Sequence, residues 1–121
     1  MTQAERNQGI GAYGERLAAK RLVEAGMVVV DRNWRCPAGE IDLVLRDGDV
    51  LVFCEVKTRS SSSYGHPLEA VRPRKAARLR RLGAMWLAAH DVHAHGIRID
   101  VVGVLLSDRG APEVTHVQAV G

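Results

Sequence analysis

Residues 39–59 read GEIDLVLRDGDVLVFCEVKTR and place acidic side chains inside two strongly apolar segments. The second segment, residues 50–58, alternates with period two. One of its faces carries Val50, Val52, Cys54 and Val56, and the other carries Leu51, Phe53, Glu55 and Lys57. A strand that begins apolar on both faces is typical of a sheet covered on both sides. Because only one face then becomes charged, we expect that face to open into a polar cleft near the end of the strand.

The first segment, residues 40–46, is predicted to be the partner strand, because Asp47-Gly48 is a pair that a two-residue type I′ hairpin turn prefers. The turn can lie at this pair or one residue further along the chain. In either register Asp42 and Glu55 are direct or diagonal neighbours on one face, within roughly 8 Å. Glu40 and Lys57 share that face, and only a one-residue bulge would break the alternation.

Carboxylates this close repel each other and need a proton, a basic partner or a divalent cation. Hard cations take one or two protein carboxylates together with waters and phosphate oxygens. We therefore predict that Asp42 and Glu55 bind Mg²⁺ or Mn²⁺. Lys57 would lie beside the ion and orient or deprotonate a water, or neutralise charge on a phosphate. The alternative is a surface ion pair between Glu55 and Lys57, worth at most about 1 kcal/mol.

The order GEID, a short turn and VFCEVKTR resembles the PD-(D/E)xK nuclease superfamily and, within it, the small bacterial YraN-like family, which looks similar to Holliday-junction resolvases. The resemblance covers most of the chain and implies a restriction-endonuclease-like fold. By this resemblance Asp42, Glu55 and Lys57 match the metal-and-catalysis triad. Glu15 matches the acidic residue that resolvase-type members carry on the first helix. The sequence departs from the superfamily pattern at Ile41, which stands where the motif has proline.

The length of 121 residues fits one domain that buries roughly two thirds of its unfolded surface. A net charge of +3 favours an anionic partner. The first residues, MTQAERNQG, lack the apolar core of a signal peptide, and no run approaches the ~18 apolar residues of a membrane span. We therefore expect a cytoplasmic protein without a membrane partner. Residues 1–10 and 59–67 are predicted to be flexible, and Cys36 and Cys54 to be reduced thiols.

Residues 11–25 are predicted to form the first helix, which Gly26 ends. The sequence GIGAYG at residues 9–14 matches Gly-x-Gly-x-x-Gly, but it lacks the preceding strand that a dinucleotide-binding fingerprint requires. Glu15 lies on the apolar face of this helix. It is either a helix-terminal carboxylate that favours the helix dipole or a member of the acidic cluster.

Residues 72–90 are predicted to form the second helix, and its apolar stripe packs against the sheet. The members of that stripe are Leu79, Leu82, Trp86 and Ala89. Six basic residues fall between positions 72 and 81, which is typical of either a phosphate-binding surface or a solvated face. With the Ser-rich loop after Lys57, this helix supplies the residues that we expect to contact nucleic acid. They are Arg59, Tyr64, Arg74, Lys75, Arg78 and Arg81.

Two further acidic residues are candidates for an accessory role, Glu40 and Asp100. Glu40 shares the face of the predicted site. Asp100 interrupts an otherwise apolar strand. It either contacts and orients the residues of the site or forms an ion pair with Arg98 or Arg35.

The remaining segments complete an α/β domain with the order αβββαβ(β). Strands are predicted at residues 27–33, 97–106 and 113–120. A helical crossover as long as residues 72–90 sets the strand after it parallel to the strand before it. We therefore expect a mixed sheet with helices packed against it.

Three functions fit this sequence. The first is a Mg²⁺- or Mn²⁺-dependent nuclease that hydrolyses phosphodiester bonds, including those of branched or structured DNA. The second is a nucleic-acid-binding module on the same fold that cuts nothing, and the third is a protein-interaction factor. An intact set of Asp, Glu and Lys favours the nuclease, because a binding module has no need of all three. DNA is the favoured partner, and the choice between a monomer and a homodimer is left open.

Overall fold

A computed structural model describes residues 1–60, 73–107 and 109–120 of the chain. These residues form two helices, α1 (Gln3–Glu24) and α2 (Pro73–Ala89). They also form the strands β1 (Val28–Cys36), β2 (Gly39–Asp47), β3 (Val50–Arg59), β4 (Gly96–Leu105) and β5 (Glu113–Val117). The predicted α/β class and αβββαβ(β) order are confirmed. Neither of the two described helices is long and apolar enough to cross a membrane.

The five strands form one sheet in the order β1-β2-β3-β4-β5. β3 and β4 are parallel, and the other three neighbouring pairs are antiparallel. The parallel pair is joined through α2, as the length of the predicted crossover requires. β3 therefore lies at the centre of the sheet, with a covered face on each side.

The two faces of the sheet carry two separate hydrophobic cores, because β3 directs alternate side chains to opposite sides. On one face, Val52 and Cys54 of β3 pack with Leu22 of α1. On the other face, Leu51 and Phe53 pack with α2 through Leu79, Leu82 and Trp86. The predicted apolar stripe of α2 is confirmed at these three positions and is wrong at Ala89, which is exposed at the end of the helix.

α1 begins at Gln3, so the prediction that it begins near Gly11 is wrong. The cause is the N-cap residue Thr2, whose side chain accepts a hydrogen bond of 3.1 Å from the Glu5 main-chain N–H. Thr2-x-x-Glu5 is the spacing of a capping box, which starts a helix by satisfying its free N–H groups. This local signal outweighs the helix-weakening effect of the glycines further along.

The sequence GIGAYG lies inside α1, and the described residues before it are already helical from residue 3, so no strand precedes it there. Gly14 has a packing reason of its own. A Cβ at this position would overlap the Thr58 side chain, so the glycine lets α1 lie directly against β3. This close approach brings the next residue of α1, Glu15, to the end of β3.

β1 ends three residues later than predicted and β5 ends three residues earlier, and both differences follow from hydrogen bonding. The β1–β2 ladder continues to the Cys36–Gly39 pair, so β1 does not end at Asn33. After Val117 the chain reaches Ala119, which has a φ of 55°. Its N–H donates to Asp100 Oδ1 at 3.1 Å instead of joining a strand.

The β2–β3 turn lies at Gly48-Asp49, because Asp47 pairs with Val50. This is the second of the two registers that the sequence allowed. Of the two turn residues only Gly48 has a positive φ, 61°. A single left-handed residue at the first position is the type II′ arrangement, so the prediction of a type I′ turn at Asp47-Gly48 is wrong.

Gly83 tests how tightly α2 lies on the sheet. A Cβ there would come within 2.5 Å of Cδ2 of Phe53, whereas a Cβ at Gly9 of α1 would meet nothing within 4 Å. We expect Gly83→Ala to destabilise the fold by about 1–3 kcal/mol through overpacking. The matched control Gly9→Ala should instead stabilise it, by up to about 1 kcal/mol, because alanine is the better helix former. Urea unfolding measures both, and stabilisation by both substitutions would contradict the close contact.

Candidate active site

β2 and β3 part from each other beyond the Leu43–Cys54 pair, where their regular pairing ends. The next N–H that a regular ladder would direct at a main-chain carbonyl belongs to Val56. It donates instead to Oδ2 of Asp42, at 2.8 Å. Ile41 and Leu43 lie in different cores although they are two residues apart. The strict alternation predicted for β2 therefore fails at Asp42.

The parted strands form one wall of a cavity of about 300 Å³. It is lined by the four charged residues of the predicted hairpin face, by Glu15 of α1 and by side chains of α2. The lining residues are Glu15, Glu40, Asp42, Glu55, Val56, Lys57, Lys75, Arg78, Leu79 and Leu82. Asp42 still lines the same cavity as Glu55 of β3, although the alternation fails at this residue. Glu15 joins this cluster, as one of its two interpretations required.

Asp42 has the most perturbed carboxyl group of the cavity. Burial raises its pKa from 3.8 to about 7. The hydrogen bond from the Val56 N–H opposes the rise, while the neighbouring carboxylates of Glu15, Glu55 and Glu40 add to it. Near neutral pH the side chain is therefore close to its titration midpoint, and a cation in the cavity would favour its charged form.

Glu15 reaches the cavity from α1, and its pKa is also raised by burial. A hydrogen bond from the side chain of Asn33 counteracts that rise. Asn33 lies on β1 between the Arg32–Leu43 and Trp34–Ile41 pairs, which places it across from Asp42. Its φ is 51°, a left-handed conformation that asparagine tolerates better than most residues. Asn33 was not among the residues expected at the site, and the sequence signal that points to it is an asparagine inside a strand.

Three cations line the same cavity. Lys57 is half-buried and comes from β3, and Lys75 is half-buried and comes from the first turn of α2. Arg78 lies one turn further along α2, close to Gly39. A Cβ at Gly39 would come within 2.6 Å of Arg78 Nη2, so the glycine before the acidic motif makes room for this guanidinium.

Glu40 lies at the rim of the cavity. Its carboxylate is 3.3 Å from Arg35 Nε, and both side chains are largely exposed. An exposed pair of this kind contributes at most about 1 kcal/mol. Glu40 therefore adds negative charge to the cluster while Arg35 offsets part of it.

Asp100 is fully buried and lies outside the described lining of this cavity. Arg98 donates two hydrogen bonds to it, at 2.8 and 2.9 Å, and His116 Nε2 lies 2.7 Å from its second oxygen. Burial alone would raise the pKa of Asp100, but these bonds hold it below its ordinary value. Of the two interpretations, the structure shows the pair with Arg98; Arg35 pairs with Glu40.

The predicted nucleic-acid contacts divide into several groups. Lys75 and Arg78 line the cavity, whereas Arg81 is exposed and is not among the described residues that line it. Arg59 lines a neighbouring groove. Tyr64 and the side chain of Arg74 lie outside the described part of the chain.

The raised pKa of Asp42 predicts a specific dependence of stability on pH. In the unfolded chain an Asp releases its proton near pH 3.9, whereas folded Asp42 keeps its proton to about pH 7. Between these values only the folded state holds this proton, so the contribution of Asp42 to stability falls as pH rises. We expect the free energy of unfolding of Asp42→Asn, measured in urea with EDTA present, to rise relative to that of the wild type from about pH 4 to about pH 7. The rise should be at most about 1.4 kcal/mol per pH unit.

Asp91→Asn removes an exposed carboxylate and serves as the charge control for this measurement. If the difference in free energy of unfolding between Asp42→Asn and the wild type does not change with pH, Asp42 has the same pKa in the folded and the unfolded state.

Comparison with known sequences places the chain in a family. Residues 14–104, which include every described residue lining the cavity, match the family described as "Uncharacterised protein family UPF0102". The UPF0102 protein of Beutenbergia cavernae is 62% identical over 112 residues, which cover 93% of this chain and 95% of that protein. Those of a Nocardioides species and of Streptomyces griseus are each 60% identical, over 94% and 92% of this chain and 92% and 94% of their own lengths. The resemblance is thus confirmed at the level of the YraN-like family, and the chain belongs to UPF0102.

Proposed function

We propose that the protein is a Mg²⁺- or Mn²⁺-dependent nuclease of the PD-(D/E)xK type. The observation that carries this proposal is the convergence of Asp42, Glu55 and Lys57 in one cavity. Two carboxylates beside a lysine are the groups that phosphodiester hydrolysis needs for binding a cation and stabilising charge. The basic side chains of α2 on the opposite wall are suited to the phosphates of the substrate.

The donor set of the cavity fits a hard cation that is completed by its substrate. The described residues contain no group of three or more acidic, His or Cys side chains that could hold a metal ion alone. Asp42 and Glu55 supply two carboxylates, and Mg²⁺ commonly binds one or two together with waters and phosphate oxygens. We infer that the ion binds most tightly when nucleic acid is present.

When bound, such an ion polarises the phosphoryl group and lowers the pKa of a coordinated water. Asp42 would have to lose its proton to hold the ion, and with a pKa of about 7 it can do so near neutral pH. Lys57 has the reach and charge to stabilise negative charge on the phosphate or to orient the attacking water. Glu15, whose pKa is also raised, can accept a proton within the same cavity.

The cleavage test uses Lys57→Arg and Asp42→Asn. Only 3 of the 17 basic residues are lysine, so the chain uses arginine by default and the lysine at position 57 is notable. Guanidinium is larger and stays protonated, whereas ammonium is compact. We expect metal-dependent nicking of branched and single-stranded DNA to be lost in Asp42→Asn. In Lys57→Arg it should fall by roughly 10² to 10³ while fold and affinity persist.

If a folded Lys57→Arg protein cleaves DNA at the rate of the wild type, Lys57 has no catalytic role. Tight binding without any cleavage in Mg²⁺ or Mn²⁺ would favour the non-cutting module instead.

Arg78 and Arg81 provide a matched pair for the binding surface, because both lie on α2 and only Arg78 lines the described cavity. Replacing Arg78 with Gln should weaken binding of duplex DNA and lower the slope of log affinity against log salt by about 0.9 per lost phosphate contact. Arg81→Gln should have the smaller effect. Fluorescence anisotropy at several salt concentrations gives both numbers, and equal effects would show that the cavity does not direct the phosphates.

A further inference from the structure

A second groove lies between the first half of α1 and the end of β3, with a volume of about 470 Å³. Its lining includes Gln3, Asn7, Glu15, Lys57, Arg59 and Ser60. Glu15, Val56 and Lys57 line both this groove and the acidic cavity. The two spaces therefore meet at the candidate active site, on the side away from Arg78.

One side chain that lines this groove, Arg59, carries an unsatisfied polar atom. Its Nε is fully buried and has no hydrogen-bond partner within the described part of the chain. A buried donor without a partner costs roughly 1–3 kcal/mol, and native structures seldom keep one without a reason.

The chemistry of the groove fits an anion. Lys57 and Arg59 are two residues apart on β3 and so share a face, and they supply two positive charges against one carboxylate, that of Glu15. On the α1 wall the exposed side chains of Gln3 and Asn7 are joined by a hydrogen bond of 3.0 Å and supply further polar groups. The planar fork of a guanidinium matches the oxygens of a phosphate.

We propose that this groove is a second phosphate-binding subsite, in which Arg59 binds the backbone phosphate next to the one held in the acidic cavity. The proposal rests on the nuclease function, because it takes the two phosphates from one nucleic-acid strand. That strand then runs from the α2 wall at Arg78, past Asp42 and Lys57, to the α1 wall at Arg59.

The binding test uses a fluorescein-labelled single-stranded oligonucleotide of about 12 nucleotides in EDTA, where no metal-dependent cleavage occurs. We expect Arg59→Gln to weaken binding at least about tenfold and to lower the salt slope by about 0.7. Arg59→Lys keeps the charge and should restore the slope. Arg21→Gln removes an exposed charge at the far end of α1 and should change neither quantity.

If a folded Arg59→Gln protein binds the oligonucleotide with the affinity and the salt slope of the wild type, the proposed subsite is wrong, whatever the cleavage assays show. Failure of the wild type to bind the oligonucleotide at all would overturn both the subsite and the nuclease function.

A cleavage test locates the phosphate that Arg59 binds. Two substrates are compared, and each carries one uncharged methylphosphonate. It replaces the phosphate on one side of the bond that the wild type cuts in the first substrate, and the phosphate on the other side in the second. We expect one of the two to slow the wild type and to have little further effect on Arg59→Gln, because both changes remove the same contact. Additive effects at both positions would overturn the assignment of the adjacent phosphate. Cleavage that fails while the binding test succeeds would count against the nuclease function alone.

Discussion

The hydrogen bond from the Val56 N–H to the Asp42 carboxylate is the interaction on which the candidate site depends. It replaces a main-chain contact at the point where β2 and β3 part, so it satisfies the freed donor and fixes the carboxylate in the gap. The parting ends the β2–β3 ladder early, and the space gained there is the cavity that Glu55 and Lys57 share. Without this bond, the part-buried N–H and the part-buried carboxylate would both lose the hydrogen bond that joins them.

Asp100 and Asp42 show how the fold treats satisfied and unsatisfied charge: Asp100 is fully buried and Asp42 is half-buried. Asp100 is bound by Arg98, His116 and a main-chain N–H, and its pKa is lowered despite complete burial. Asp42 has one main-chain donor and neighbouring carboxylates, and its pKa rises to about 7. The first arrangement stabilises the end of the chain against β4. The arrangement around Asp42 leaves a carboxylate that a bound cation would stabilise, and carboxylates with perturbed pKa values are common at functional sites.

Much of this arrangement follows from residues 39–59, because period-two alternation in β3 assigns Glu55 and Lys57 to one face and the hairpin brings Asp42 opposite them. The parallel crossover follows from the length of the helical segment. Three features of the structure were not predicted from the sequence. The left-handed conformation of Asn33 and the change of face at Asp42 depend on neighbouring elements, so beyond the asparagine itself no local pattern predicts them. The capping box at Thr2 was a local signal, but the glycines of α1 obscured it.

The central claim is that the Asp42 cluster binds a divalent cation together with nucleic acid. The most direct test is the affinity for a single-stranded oligonucleotide with and without Ca²⁺, a hard cation with the same oxygen ligands, at constant ionic strength. If the cation contacts both the carboxylates and a phosphate, each ligand strengthens binding of the other by the same factor. The account predicts that Ca²⁺ tightens binding by the wild type and has no such effect on Asp42→Asn. Equal dependence on Ca²⁺ in both proteins would contradict it.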